Sequence, residues 1–307
     1  MTDTRLLHTV GARAVAWLWD HRDGFRLEPD VDPETGFLER FKPVGELALV
    51  GKVLFREGVA GSRQADLTRR LLDHVWRETL DGGRLLVQGR RTEPISPIPF
   101  EVYLPFRELG YRQPEIERAA VLNHRLDSWA AFETTPTRRL GLAAFQRRFG
   151  LTPRPPEHDA LAATWLARTP EPWTVEGHIA YDVTHAVFHL TDWGENPGGL
   201  PAPLADYLSL WLPAWIDDWT DLRRWDLVGE LLVVDACLPR PTLDERGWAA
   251  FAAAQQEDGA MPAVRAMPEY DDRDALFDAV YHPTLVAAFA STLATSRALT
   301  ELVQAMS

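Results

Sequence analysis

Along the chain Leu, Ala, Val and Arg recur at intervals of three and four residues, whereas strict alternation of apolar and polar positions is rare. The first pattern lines one face of a helix and the second is the mark of a half-buried strand, so the chain is expected to be all-α. One short stretch, RLLVQGRR at 84–91, reads as a β-hairpin-like excursion. Pro- and Gly-rich stretches at 92–99, 153–157, 195–203 and 239–242 punctuate the helical pattern. None of them is long or biased enough to act as an interdomain linker. Residues 1–307 are therefore read as a single domain.

The helical pattern contains a degenerate repeat. FKPVGELALV at 41–50 and WDLVGELLVV at 225–234 share an aromatic residue, two variable positions, Val-Gly-Glu-Leu and an apolar tail. YDVTHAVFHL at 181 and FDAVYHPTLV at 277 open on aromatic-Asp in the same frame, and FEVYLPFREL at 100 carries Glu101 at the acidic position. A sixth, weaker copy lies around RRLGLAAFQRRFG at 138–150. Gly58, Gly110, Gly150 and Gly194 follow four of these runs, as left-handed residues do after a helix. Six apolar helices separated by more polar helical segments describe six helical hairpins. With the apolar helices inside, the hairpins close into an (α/α)6 toroid; an irregular bundle or an open solenoid fits the same pattern.

In a closed toroid the N-termini of the inner helices meet at one mouth, where unpaired N–H groups favour anionic chemistry. Superposing the copies puts Lys42, Glu101, Asp182, Asp226 and Asp278 at one level. Gly45, His185, Gly229 and Tyr281 stand at the next, and Glu46, Glu230 and His282 one residue further on. This ring nominates His185, His189, Tyr281 and His282 as proton-handling groups, with Asp182, Glu46 and Glu230 as their carboxylates. Each also has a structural explanation. Acids that open helices stabilise the first turn, and His185 and His189, four residues apart on one helix face, serve equally as a hydrogen-bonded core pair. The sequence between them is HAVFH, without the Glu of HExxH, so a zincin site is excluded.

A second constellation is Asp235-Ala-Cys237 with Tyr281-His282-Pro283 downstream. Here the chain resembles the β-subunits of protein prenyltransferases, which share an α/α toroid with squalene-type terpene cyclases. QQEDG at 255–259 is similar to the Gln-x-x-Asp-Gly turn that recurs in these families. The resemblance implies zinc held by Asp235, Cys237 and His282, with an open fourth position that activates a thiolate. The repeat frame departs from it, because it places Asp235 and Cys237 near the end of an inner helix where the family has the pair at the start. The Cys and Cys-His pattern of lanthionine cyclases, another zinc-bearing toroid family, is missing. DDWTD at 217–221 matches the DDxxD pattern of class I terpene synthases, but the accompanying Asn/Ser/Glu motif is absent, and a solvated acidic helix end accounts for it.

Composition narrows the classes further. A net charge of −13 argues against nucleic-acid partners, and the longest apolar runs, such as LVGELLVV at 227–234, fall far short of the roughly 20 residues that span a bilayer. A single cysteine excludes an intrachain disulfide framework and suits a reducing cytoplasm. The N-terminal segment reads as an amphipathic helix with no signal-peptidase site. P-loop, dinucleotide and nucleophile-elbow motifs are absent. Three functions stay open: a cyclase or transferase acting on a peptide or isoprenoid metabolite, a glycoside hydrolase or sugar epimerase using the same mouth, and a scaffold that binds a partner protein or leader peptide.

Overall fold

A computed structural model of the chain describes residues 3–27, 41–154 and 156–306. Among them are fourteen α-helices and no strand. Position 155, in the Pro-rich stretch 153–157, lies outside the described residues. No helix of the described residues is long and apolar enough to cross a membrane.

Each copy of the repeat is a helix: α2 (Phe41–Glu57), α5 (Ile98–Glu108), α8 (Pro136–Phe149), α10 (Gly177–Leu190), α12 (Trp225–Cys237) and α14 (Arg273–Met306). Local chemistry sets their ends. Thr135 caps α8 by accepting the Arg138 N–H, Pro136 supplies a helical φ at the first position, and Gly150 closes the helix at φ 89°. Gly58, Gly110 and Gly194 are left-handed too, as the positions after apolar runs required.

These six helices pack in a fixed order of neighbours. α2 lies on α5, α5 on α8, α8 on α10, α10 on α12, α12 on α14, and α14 on α2. The remaining long helices pack against their flanks: α1 (Thr4–Asp20) on α14, α3 (Ser62–His74) on α1 and α2, α4 (Arg84–Thr92) and α6 (Pro114–His124) on α5, α9 (Glu157–Ala162) on α8, and α11 (Ala202–Asp221) and α13 (Glu245–Ala254) on α12. The short α7 (Asp127–Ala130) follows α6. α12 shows the result most clearly: every residue from Leu227 to Leu238 is buried. Each Leu or Val enclosed there contributes about 1.5–3 kcal/mol of transfer free energy. The same enclosure obliges Glu230 and Asp235, on that helix, to find partners.

Residues 84–91 form helix α4, not a hairpin. A three-residue apolar run does not by itself separate a strand from a buried helical turn. Here Leu86, Val87 and Gly89 form a buried helical face and α4 rests on α5. The N-terminal segment is the expected amphipathic helix, burying Leu7, Val10, Ala14, Trp17 and Leu18.

The C-terminal ends of the repeat helices are tied by cations. Lys52 of α2 bridges Glu108 of α5 and Glu195, at 3.1 Å each, and Arg147 of α8 binds Asp192 and Glu157. Arg56 donates to the carbonyls of Asp192 and Trp193, and Arg297 of α14 to those of Ala236 and Gly194. Guanidinium groups thus satisfy carbonyls left over where α10 and α12 stop.

Candidate functional site

A chain of bonded side chains crosses four repeat helices near their N-terminal halves. Glu46 of α2 meets His282 Nδ1 of α14 at 3.0 Å, and His282 Nε2 lies 3.3 Å from Glu230 of α12. The other oxygen of Glu230 accepts the Thr184 hydroxyl of α10 and stands 3.7 Å from His185 Nδ1. One turn closer to the helix starts, the Tyr181 hydroxyl donates to Asp226. Glu46, Glu230 and His282 are the three residues that the repeat frame puts at one level, and lateral packing of α2, α12 and α14 brings that level together.

Both ring nitrogens of His282 face carboxylate oxygens, which only accept, so both carry protons. Burial alone would lower its pKa, but Glu46 and Glu230 outweigh burial and push it up to about 10. For Glu230 the opposing effects resolve the other way. Its side chain is only 4% exposed, which favours the neutral acid, yet His185 and His282 with the Thr184 hydroxyl hold its pKa below the ordinary value. The centre of the cluster is therefore an ionised carboxylate beside an imidazolium at neutral pH.

His185 differs. Its Nδ1 lies 2.8 Å from the Tyr181 main-chain oxygen, an acceptor only, so Nδ1 carries a proton, and no described residue bonds Nε2. Its side chain is 41% exposed, the most open group of the cluster. Pro283, directly after His282, cannot donate to the carbonyl of Ala279, so the α14 ladder is interrupted beside the site.

The other nominated residues take separate places. His189, one turn beyond His185, stacks edge-on to Trp193 and lies over Gly141, whose missing Cβ would fall 2.7 Å from its Nε2. Burial, with His185 and Arg138, Arg148 and Arg147 around it, keeps its pKa well below the ordinary value, so this imidazole is neutral. Tyr281 stacks on Phe277, and burial followed by Glu46 and Asp278 raises its phenol, which stays protonated. Asp182 is half-buried in the second turn of α10, and the bonded chain does not run through it. Of the acids expected to open helices, Asp226 does lie in a first turn, whereas Asp182 and Asp278 lie one turn deeper because α10 and α14 begin earlier than the repeat frame implies. Thr184 and Tyr181, which complete the cluster, were not singled out from the sequence; their signal was position, next to His185 and one turn before it.

The zinc trio is not assembled. Asp235 accepts the Thr242 N–H and hydroxyl at 2.9 Å and the Leu243 N–H at 2.8 Å, holding Leu243 at φ 49°. Cys237 is fully buried near Gly194 and Thr191, and burial pushes its thiol up to about 11. It follows Glu230 by seven residues, about 10 Å along the helix axis, while His282 is bonded to Glu230 itself. Among the described residues, no group of three or more His, Cys, Asp and Glu is arranged to hold a metal ion. These donors do not fit one shared zinc. QQEDG is likewise structural: Gln255 donates to the carbonyls of Val10 and Gly259, pinning the turn on α1. DDWTD is the exposed end of α11, with Asp217 paired to Arg246 at 3.6 Å.

Comparison with curated proteins and with solved structures gives no match. The family described as "Domain of unknown function (DUF6895)" matches residues 11–292, a span that holds all six repeat helices through the site and every residue of the Glu46–His282–Glu230–His185 cluster. The chain belongs to that family.

Proposed function

We propose that this protein is an acid–base enzyme of cyclase or transferase type, built as an α/α toroid, in which His185 moves a proton on a small-molecule or peptide substrate. The order of helix neighbours, which returns from α14 to α2, supports the closed-ring reading. The observation that carries the chemistry is His185: one nitrogen fixed by a main-chain oxygen, the other without a partner among the described residues, and an ionised carboxylate alongside. Nε2 takes a proton from the substrate, and the imidazolium that forms is stabilised by Glu230. Thr184 fixes that carboxylate, and His282, clamped between Glu46 and Glu230, compensates its buried charge. His282 is thus a positioning residue, since both of its N–H groups are engaged.

A sugar-epimerase reading draws on the same base and remains the alternative. Glycoside hydrolysis is less well supported, because it needs one protonated carboxyl near the bond being broken, and Glu46 and Glu230 both accept from His282.

The test is deuterium uptake. Wild type and His185→Gln are incubated in D2O with a metabolite extract and the products weighed by mass spectrometry. Deuterium or product formed by wild type alone supports the proposal. Identical spectra from two folded proteins would favour a scaffold that only binds a partner.

A further inference from the structure

Helix α6, on the flank of the fold, carries apolar residues on both of its sides. Ile116, Ala120 and Asn123 are buried and seat it on α4 and α5. Arg118, Val121, Leu122 and Arg125 stand on the opposite side, because steps of three, four and seven residues keep side chains on one helix face. All four are exposed. We propose that this outer face of α6 binds a partner protein through an acidic amphipathic helix.

The apolar part of the face is larger than one stray side chain. Leu122 is 53% exposed, and Ile95, Val121 and Leu126 are exposed with it. Asn123 donates to the Pro94 carbonyl at 2.6 Å, which holds Ile95 at the C-terminal end of α6, and Leu126 follows the helix directly. Single exposed aliphatic residues are ordinary, whereas several gathered in one place and rimmed by charge mark a surface that is covered in use. The charge of the rim names the partner's chemistry. Arg118 and Arg125 flank Val121 and Leu122, and neither has a carboxylate within ion-pair distance among the described residues. The acids that border the face are already engaged: Glu115 with Arg91 at 3.0 Å, Glu117 with the Tyr103 hydroxyl, and Asp127 with Arg154 at 3.6 Å. In a chain of 45 acids against 32 Lys and Arg, two unpaired cations beside exposed aliphatic side chains call for carboxylates from outside. Geometry favours a helix as their carrier. The stripe from Arg118 to Arg125 is about 10 Å long, a ridge that a crossing helix covers with Leu or Phe on the aliphatic pair and Asp or Glu on the two guanidinium groups. Other occupants fit less well. A second copy docked about a twofold axis would set these arginines against each other, and a chain of net charge −13 is repelled by an anionic bilayer.

The probe is a fluorescein-labelled peptide of about 18 residues, long enough to form a helix, with Leu at helical spacing flanked by Glu. Titrated with the full chain and followed by anisotropy, it should bind saturably, and more weakly as salt is added. Arg118→Glu with Arg125→Glu, and separately Leu122→Ser, should each weaken binding about tenfold or more while leaving the thermal midpoint in place, since these side chains are exposed. The same peptide with Lys in place of Glu should bind about tenfold more weakly than the acidic one. Equal binding of the two peptides, or variants that bind like wild type, would overturn the proposal. So would a dimer in sedimentation that Leu122→Ser dissociates, which would give the face to a second copy. Pelleting with phosphatidylserine vesicles that the double Arg variant loses would overturn it as well, in favour of a membrane.

Discussion

His282 is the residue whose environment decides most about the site. Burial opposes its charge, and two carboxylates on two different helices overrule burial. The linkage to stability follows. An imidazole with an ordinary pKa of 6.5 in the unfolded chain and about 10 in the folded one contributes its full stabilisation below pH 6.5. As pH rises the unfolded chain loses the proton first, and the contribution fades until the folded group titrates near 10. The thermal midpoint of wild type should therefore fall between pH 7 and 10, and that of His282→Gln should fall less over the same window. Parallel curves would mean that His282 is not held as a cation. At this scale the candidate site was partly legible: the repeat frame brought Glu46, Glu230 and His282 to one level, with His185 close by. It did not reveal which histidine has one ring nitrogen held and the other left open, because that depends on the Tyr181 carbonyl and on Glu230 approaching from another helix.

At the scale of the element, helix existence and helix ends were readable from local chemistry, since left-handed glycines and caps act within a few residues of themselves. The exception was 84–91, where three apolar residues carry no period and contact with α5 settles the conformation. QQEDG shows how a short motif is used. Gly259 sits at φ 104°, and a Cβ there would lie 2.2 Å from the carbonyl oxygen of Arg13. Gly259→Ala thus combines a backbone conformation that only glycine adopts easily with a collision against the main chain of α1. We expect a loss of about 3 kcal/mol in chemical denaturation. A change below 1 kcal/mol would show that the turn and α1 separate at little cost.

At the scale of the whole molecule, each repeat helix touches the one before and the one after it, and α14 joins the last copy to the first. No helix of that circuit keeps its buried face if a neighbour leaves. Urea unfolding followed by tryptophan fluorescence and by far-UV circular dichroism should accordingly give one coincident transition. Two resolved transitions would divide the chain into independently stable parts and remove the basis for reading it as one closed ring. The two ends of the circuit also differ: cations bonded to carbonyls and carboxylates occupy the C-terminal end, and the histidine–glutamate cluster lies toward the N-terminal end.

The sequence by itself determined the all-helical class, the six related apolar helices and the level at which Glu46, Glu230 and His282 stand, because periodicity, caps and glycines act over a few residues. It also offered a zinc trio by resemblance, although the repeat frame placed Asp235 and Cys237 near the end of a helix. Only the tertiary structure shows which of these residues meet. Asp235 and Cys237 share a helix with Glu230 but lie beyond it along the axis, each absorbed by its own loop or core contacts. Glu46 and His282, 236 positions apart in the chain, come within 3.0 Å because α14 packs back against α2. Spacing along one helix sets a residue's height, but which neighbouring helix faces it, and so which charge it meets, is a property of packing alone.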